Sequence, residues 1–424
     1  MALLWDVRPV NVMYQSASES SVPTEELTPS PFTETTGTAR HAAVAALRES
    51  GPVQRITLFT GASVWLVTGY TEVKELLAHP AMAKHNQVVP HRDVTPDDLH
   101  AAMYTSALTS NPPNHTRLRK LVTSAFTARR VKELRPRVQE TTDGLLDALE
   151  RAGSDGSPVD LVATLGYPLP LTVIAELLGV PVDDRKAFRG WSSVIVNASA
   201  YPTGTYLRAA EEMVAYVREM ISDKRRTPAA DLLSALIHVH DGDDRLTTDE
   251  LTSTVFLLLA AGHETTVNLI SGAVHSLLSH PDQLRLVRQE PDRLTAVVEE
   301  QLRYDGPKQV PIPSVATESI AVGGVAIPRG DVVLPSLLAA NRDPERFAEP
   351  DRFDITRAAT SHLAFGHGLH HCLGAPLARL EGVIAVGSLL RRFPQLRLAD
   401  PETEPGRHLS LLMNGIVALP VTIS

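Results

Sequence analysis

The chain has 424 residues, of which 43% are hydrophobic and 21% are charged, and this composition is typical of a globular protein. Its formal net charge of −9 argues against nucleic acid as the main partner. We expect no membrane span, because no stretch approaches ~18 uninterrupted apolar residues, and no secretory signal, because Asp6 and Arg8 interrupt the apolar N-terminus.

Residues 1–38 are rich in Ser, Thr, Pro and Glu and lack a helical apolar period, so we predict a flexible arm ahead of one large domain over residues 39–424. That domain is predicted to be mainly α with a minor β-sheet. The predicted helices include residues 42–49, 71–78, 114–127, 131–151, 171–178 and 205–226, and the predicted strands are 56–59, 65–68, 320–327 and 332–338, with a hairpin turn at Gly323-Gly324.

The longest predicted helix begins at Thr247, which forms a capping-box pattern with Glu250. No proline follows until Pro281, so the helix is expected to have about 32 residues and a length of about 48 Å. Residues 255–261 in its middle are almost wholly apolar, which indicates burial on all sides. A helix of this length is expected to cross the whole domain.

Three residues in the middle of this helix work against its stability. Gly262 costs about 1 kcal/mol relative to alanine, Glu264 needs a partner when buried, and the hydroxyl of Thr265 competes for backbone carbonyls. Such a conflict favours a functional site, and a bent core helix with a satisfied acid is the alternative. The zinc-protease pattern HExxH is excluded, because its second histidine would be Val267.

Cys372 is the only cysteine, so no intrachain disulfide can form, which fits a reducing cytoplasm. A lone cysteine is most often a small buried hydrophobe. Here, however, a glycine-rich run precedes it, and Ala375-Pro376 opens an apolar-periodic helix just after it. The dipole of that helix is expected to favour the thiolate, which is a metal ligand. Zinc is an alternative because three histidines lie nearby, but their spacing fits no usual structural zinc site.

The segment around Cys372 resembles the cysteine-ligand loop of the cytochromes P450, whose pattern is F-x-x-G-x-x-x-C-x-G. Three further motifs of that family occur in the same order and spacing, namely [A/G]-G-x-[D/E]-T-[T/S], E-x-x-R and P-x-R-F. The resemblance extends from about residue 40 to the end and is to the soluble bacterial type. The matching residues are Phe365, Gly368, Cys372 and Gly374; Ala261, Gly262, Glu264, Thr265 and Thr266; Glu300 and Arg303; and Pro350, Arg352 and Phe353.

The resemblance implies a haem b bound between the long helix and the cysteine loop, with Cys372 as the axial ligand of the iron. Gly366 and Gly368 would leave room beside the sulfur. Glu264 and Thr265 would relay protons to dioxygen on the opposite face of the haem. The cofactor-binding residues implied by the family are His115, Arg119, Ala261, Gly262, Phe365, Gly366, His370, Cys372 and Gly374.

Two further implications concern charged residues. Glu300, Arg303 and Arg352 would form a buried structural triad. His115, Arg119 and His370 would bind the haem propionates. The family usually has one more propionate-binding arginine before an A-T-E stretch, where this chain has Ser314. A water or another cation would replace it, and His371 is a candidate.

The implied activity is that of a monooxygenase that inserts one oxygen atom from O2 into a hydrophobic small molecule, by hydroxylation or epoxidation. A bacterial secondary metabolite such as a macrolide or polyketide is the expected substrate, and the pocket walls would come from residues 82–104, 196–206, 310–313 and 411–413. The alternative is a haem-thiolate enzyme that uses peroxide or catalyses a non-oxygenating reaction.

Electrons are expected from a ferredoxin and its reductase, since the chain has no flavin segment and too few cysteines for an iron–sulfur cluster. An acidic ferredoxin would dock on basic residues by charge complementarity. The candidate docking residues are Arg117, Lys120, Arg129, Arg130 and Arg379.

Overall fold

The computed structural model describes residues 31–58, 61–84, 94–196, 198, 201–241, 244–358 and 361–423. Helices α1 to α15 are Gly37–Glu49, Tyr70–Ala78, Asp97–Tyr104, Asn114–Ala125, Ala128–Glu133, Arg135–Ala152, Pro168–Leu178, Arg185–Val196, Thr203–Arg226, Leu232–His238, Thr248–Ser279, Pro281–Gln289, Leu294–Asp305, Leu337–Ala340 and Ala375–Arg392. Strands β1 to β12 are Val53–Thr57, Ser63–Val67, Met82–Lys84, Val159–Asp160, His240–Asp241, Asp244–Arg245, Ser314–Ala316, Ile320–Val322, Val325–Ile327, Val332–Pro335, Arg397–Leu398 and Pro420–Thr422. The predicted fold class, mainly α with a minor sheet, is confirmed.

The predicted elements differ from the observed ones at their ends, and for two of them the local reason is clear. The helix predicted over residues 131–151 is divided at Leu134, and Pro136 lies in the first turn of α6, where a missing N–H costs little. The strand predicted over residues 332–338 ends at Pro335, because the Ser336 side chain accepts a hydrogen bond from the Ala339 N–H and so caps α14. In the strand predicted over residues 56–59, Phe59 lies outside the described residues.

The division into an arm and a domain at residue 38 stays a prediction. Residues 1–30 lie outside the described part of the chain. Of the remaining arm residues, Phe32 is buried, and the Thr36 side chain caps α1, which begins at Gly37. The segment from residue 31 onward therefore packs with the domain.

The main sheet has five strands in the order β1-β2-β10-β7-β3. β10 runs parallel to β2, and the other pairs are antiparallel. At its edge β3 pairs with β7 so that Lys84 lies opposite Ser314. β8 and β9 form the predicted hairpin, and Gly323 and Gly324 have φ values of 55° and 78°, which favour glycine at this turn.

α11 is the predicted long helix and lies at the centre of the fold. Thr247 and Glu250 form both hydrogen bonds of the predicted capping box, and the helix extends over 32 residues. It packs against α3, α7, α9, α13 and α15, so most of its side chains are buried. Within the described residues, no helix combines the length and the apolar character that a bilayer crossing requires.

The predicted triad requires a correction. Arg303 donates to both carboxylate oxygens of Glu300, at 2.7 and 2.8 Å, and both side chains are buried. The third member of the triad is Arg357, whose Nε lies 3.1 Å from Glu300 Oε1. Arg352 instead has a 54% exposed side chain that pairs with Glu349, and only its backbone carbonyl accepts from Arg303. The Arg352 side chain is directed outward, so Arg352 contacts the buried pair only through its backbone carbonyl.

Glu381 of α15 is an acid buried in the core. Its side chain is 1% exposed, its Oε2 has no hydrogen-bond partner among the described residues, and burial raises its pKa to about 8. Because the folded-state pKa is above the unfolded value of 4.5, its contribution to stability is complete below pH 4.5 and is lost as pH rises toward 8.

We expect Glu381→Gln to remove this pH dependence. Relative to the wild type, the variant should gain about 2 to 3 kcal/mol in free energy of unfolding between pH 5 and pH 7, since each unit corresponds to about 1.4 kcal/mol. Denaturant unfolding at several pH values measures this difference, with Glu402→Gln, at an exposed site, as the control. Parallel stability curves for Glu381→Gln and the wild type would contradict the prediction.

Candidate active site

The cysteine loop, defined as residues 365–374, has a backbone that only a glycine-rich sequence adopts easily. The Cys372 N–H donates to the Phe365 carbonyl at 2.9 Å, which closes the loop. Gly366 and Gly368 have φ values of 74° and 71°, in the left-handed region. The loop ends where Gly374 precedes α15, and Pro376 lies in the first turn of that helix. Cys372 is therefore placed just before a helix N-terminus, as predicted.

The glycines have different roles from those expected beside the sulfur. A Cβ on Gly368 would lie 2.9 Å from the Leu77 carbonyl oxygen, so this glycine lets the loop contact the end of α2. A Cβ on Gly366 would have only a carbonyl oxygen 3.9 Å away. A Cβ on Gly374 would lie 3.9 Å from Cys372 Sγ. Because a Cβ on Gly366 would have no contact with the sulfur within 4 Å, the prediction that Gly366 makes room for it is wrong.

Phe365 fixes the cysteine loop against the long helix. It packs on a buried cluster that contains Leu269 of α11, one turn beyond Thr265. The Arg379 guanidinium lies 4.5 Å from the centre of the Phe365 ring and also binds Glu299, at 2.6 and 3.0 Å. These contacts join the loop, α15 and α13, and they fix the position of Cys372 relative to the middle of α11.

Cys372 is exposed within this arrangement. Burial nevertheless raises the pKa of its thiol, because the surrounding protein removes much of the water that would solvate a thiolate. The N–H groups of Gly374 and Ala375 and the nearby charge of Arg119 act in the opposite direction but are weaker. The N–H groups at the start of α15 thus favour the thiolate, as predicted, but the effect of burial on the pKa is larger. A bound metal cation would supply the missing stabilisation.

The middle of α11 presents the second half of the candidate site. Ala261 is exposed and Thr265 half-buried, although most of this helix is buried. The Thr265 hydroxyl donates to the Ala261 carbonyl at 3.3 Å, as its position in a helix interior predicts. Gly262 faces away from this surface, because a Cβ there would lie 3.2 Å from the Ile174 side chain. The absence of a side chain at position 262 therefore lets α7 pack closely against α11.

Glu264 has one hydrogen-bond partner that the sequence did not reveal. The Tyr167 hydroxyl donates to Glu264 Oε1 at 3.3 Å. Burial raises the pKa of Glu264 to about 7, while Tyr167 and Arg189 act to lower it. Arg189 also stacks over the Tyr167 ring at 4.2 Å. A carboxyl with this pKa is present in both protonation states near neutral pH, which suits proton transfer.

His263, next to Glu264, is a structural residue. It is fully buried, and its Nδ1 lies 2.8 Å from the Leu259 carbonyl, so Nδ1 carries the proton. Its Nε2 then accepts, with the Ser192 hydroxyl at 3.2 Å. Burial lowers its pKa to about 4, which keeps the ring neutral. His263 therefore orders the polar groups around Tyr167 and does not exchange protons near neutral pH.

The residues predicted to bind propionates come together beside the cysteine loop. The rings of His115 and His370 lie 4.4 Å apart, and Arg119 donates to the His371 carbonyl at 2.7 Å. His115 is buried, and neither ring nitrogen has a hydrogen-bond partner of good geometry, although the Leu369 backbone is close enough to favour the protonated ring. His370 Nδ1 is also buried without a partner among the described residues. Unsatisfied donors beside a guanidinium fit a ligand with carboxylates.

The predicted pocket walls are only partly within the described residues, which omit 85–93 and most of 197–200. Two walls are joined by Gln309, whose side chain donates to the carbonyls of Ser410 and Met413, at 2.6 and 3.1 Å. On two others, the Tyr104 and Tyr206 hydroxyls pair at 3.0 Å. In the described part of the chain, no cluster of three or more His, Cys, Asp or Glu side chains is placed to hold a metal ion.

Comparisons with known proteins agree with this geometry. A family model described as Cytochrome P450 matches residues 31–417. Cytochrome P450 107B1 of Saccharopolyspora erythraea is 48% identical over 393 residues, covering 90% of this chain and 94% of that protein. The 6-deoxyerythronolide B hydroxylase of the same organism is 44% identical over 388 residues, covering 89% and 95%. The tirandamycin C-bound structure of the P450 monooxygenase TamI matches with a TM-score of 0.83 at 41% identity, covering 92% and 98%.

The chain therefore belongs to the cytochrome P450 family. It is a monooxygenase, and so an oxidoreductase, and membership implies a haem-thiolate cofactor. The residues present fit a haem. The single cysteine is accessible in a closed loop, and histidine nitrogens beside it have no hydrogen-bond partner among the described residues. The helix against which the loop packs carries the acid Glu264 and the hydroxyl of Thr265.

Proposed function

We propose that the chain uses haem b, bound through Cys372, to insert one oxygen atom from O2 into a bulky hydrophobic metabolite of the macrolide or polyketide type, by hydroxylation or epoxidation. This proposal rests mainly on the contact between Phe365 and the cluster around Leu269. That contact holds the cysteine loop against α11, about one helical turn beyond Glu264 and Thr265. The substrate class is supported by the names of the relatives, one a 6-deoxyerythronolide B hydroxylase and one bound to tirandamycin C.

In this proposal each residue has a stated task. Haem bound through Cys372 supplies the chemistry of dioxygen activation. His115, Arg119 and His370 bind its propionates and so orient it. Glu264, with a pKa raised to about 7, holds a proton or releases it, and the Tyr167 hydroxyl fixes its carboxylate. Thr265 lies one residue further along α11 and passes the proton toward dioxygen through its hydroxyl.

The relay is tested by Thr265→Ala. We expect the amount of product formed per electron pair consumed to fall by about tenfold or more, because a positioned proton donor accelerates such steps by about 10²-fold or more. Product and electron consumption are measured together with a macrolide or polyketide substrate that shifts the haem spectrum. Thr265→Ser keeps the hydroxyl and should keep most of the coupling. Unchanged coupling in Thr265→Ala would contradict a proton relay through this hydroxyl.

The proposal includes a ferredoxin and its reductase as electron donors, and a cytoplasmic location. Two of the five candidate docking cations are half-buried in their ion pairs. Arg117 pairs with Asp244 and Glu250, and Arg379 pairs with Glu299. Lys120 and Arg129 are exposed, so the docking surface is proposed to be Lys120, Arg129 and Arg130, on α4 and α5.

The position of this surface supports its use. Arg129 is 89% exposed even though it pairs with Glu133 at 2.8 Å, so its charge remains at the surface. α4 also carries Arg119, which donates to the backbone of the cysteine loop. An acidic partner docked on α4 and α5 would thus lie close to the haem, which electron transfer requires.

A further inference from the structure

The position at which this chain departs from the family pattern, Ser314, has an ordered cation opposite it. Ser314 is in β7, and in the antiparallel pair with β3 its Cα partner is Lys84. Directly opposed side chains on one face of such a pair are in contact distance. Lys84 Nζ donates to the Ser314 hydroxyl at 2.9 Å and to the Ile312 carbonyl at 2.8 Å.

The backbone of Lys84 is held to the helix that carries the other propionate-binding residues. Asn111 binds both backbone groups of Lys84: its Oδ1 accepts from the Lys84 N–H at 2.8 Å, and its Nδ2 donates to the Lys84 carbonyl at 3.0 Å. The Asn111 carbonyl in turn accepts from the His115 N–H at 2.9 Å. The ammonium is therefore fixed relative to His115 and α4.

The surroundings of the ammonium are cationic. Lys84 is half-buried, and its charge acts on His370, while the charge of Lys308 acts on Lys84. Among the described residues, no carboxylate lies within 4.0 Å of Lys84 Nζ. A lysine ammonium has three donors, and the two neutral acceptors satisfy two of them. A half-buried ammonium with the like charge of Lys308 nearby is costly unless an anion joins it.

We propose that Lys84 binds one haem propionate in this chain, in place of the arginine that the family usually has at position 314. The inference rests on the proposed haem binding and adds to it the residue that completes the propionate site. Ser314 then has a definite function, which is to accept a hydrogen bond from the ammonium and direct its remaining N–H toward the carboxylate.

The test is the rate at which the holoenzyme loses haem to an excess of apomyoglobin. Lys84→Met should lose haem about 10- to 100-fold faster than the wild type, since a hydrogen-bonding partner outside the metal ligands contributes on that scale to the affinity for a metal centre. Lys84→Arg keeps the charge and should stay close to the wild type. Lys74→Met makes the same substitution at an exposed position of α2 and should not change the rate.

Two further measurements separate propionate binding from a structural role. Because residues 84 and 314 lie opposite each other, the double variant Lys84→Met/Ser314→Arg should recover slow haem loss. Proteins reconstituted with haem dimethyl ester, which has no free carboxylates, should show no difference between Lys84→Met and the wild type. Equal haem-loss rates for Lys84→Met and the wild type, or a difference that persists with the ester, would overturn the inference.

The proposed haem-thiolate centre is checked separately by the spectrum of the reduced carbon-monoxide complex of the wild type. If the wild type has a thiolate-type spectrum and Lys84→Met loses haem at the wild-type rate, only the inference about Lys84 is contradicted. If the wild type lacks that spectrum, the proposed function itself is contradicted.

Discussion

Replacing Arg357 with methionine is expected to lower the free energy of unfolding by about 2 to 3 kcal/mol, because several acceptors lose a charged hydrogen-bond donor while Glu300 keeps its pair with Arg303. The Arg357 side chain is 14% exposed and binds Glu300 at 3.1 Å. It also donates to the carbonyls of Ala348 and Glu349, each at 2.5 Å, and of Arg352, at 3.1 Å. All of these acceptors would lose a charged donor. Denaturant unfolding measures the change.

Arg352→Met is the matched control. The Arg352 side chain is 54% exposed, and its pair with Glu349 at 3.4 Å is a surface ion pair, so we expect a change within about 0.5 kcal/mol. Its carbonyl, which accepts from Arg303, is retained in any substitution. A larger loss of stability in Arg352→Met than in Arg357→Met would restore the assignment that the P-x-R-F motif suggested.

This pair of arginines shows where sequence reasoning succeeds and where it stops. Glu300 and Arg303 lie three residues apart on one helix, so helical geometry alone predicts that they meet. The second cation, Arg357, comes from a turn about 50 residues later, and spacing along the chain does not determine which of two arginines there points inward. Arg357 follows the turn at Asp354, and the Asp354 N–H donates to Glu300 Oε1 at 2.9 Å. This backbone contact brings Arg357 close to Glu300.

The active site divides in the same way. Cys372 and its glycines are predictable, because a closed loop before a helix leaves few choices of residue at φ values near +70°. Glu264 and Thr265 are predictable because they disturb an apolar helix. Tyr167 and Lys84 are not, since each meets its partner only through tertiary packing of a distant element. The raised pKa of the Cys372 thiol has the same origin, because local dipole arguments omit the burial that the whole fold imposes.

Cys372→Ser is expected to abolish the thiolate-type spectrum of the reduced carbon-monoxide complex and, with it, monooxygenase activity. An alcohol at this position is neither ionised nor a strong donor to iron, and O–O cleavage depends on electron donation from sulfur. The fold should persist, because the hydrogen bond from the residue 372 N–H to the Phe365 carbonyl does not involve the side chain. Absorption spectra and product analysis of the purified variant measure both effects.

The absence of any other cysteine makes a second readout specific to this residue. In the wild-type holoenzyme the thiol should be unreactive toward a disulfide reagent, and removal of haem should expose one reactive thiol per chain, because a sulfur that holds iron is not free to attack. His367→Ala, at an exposed position of the same loop, is the control for histidine ligation and should keep the thiolate spectrum. A spectrum lost in His367→Ala but kept in Cys372→Ser would place the iron on nitrogen and contradict the assignment.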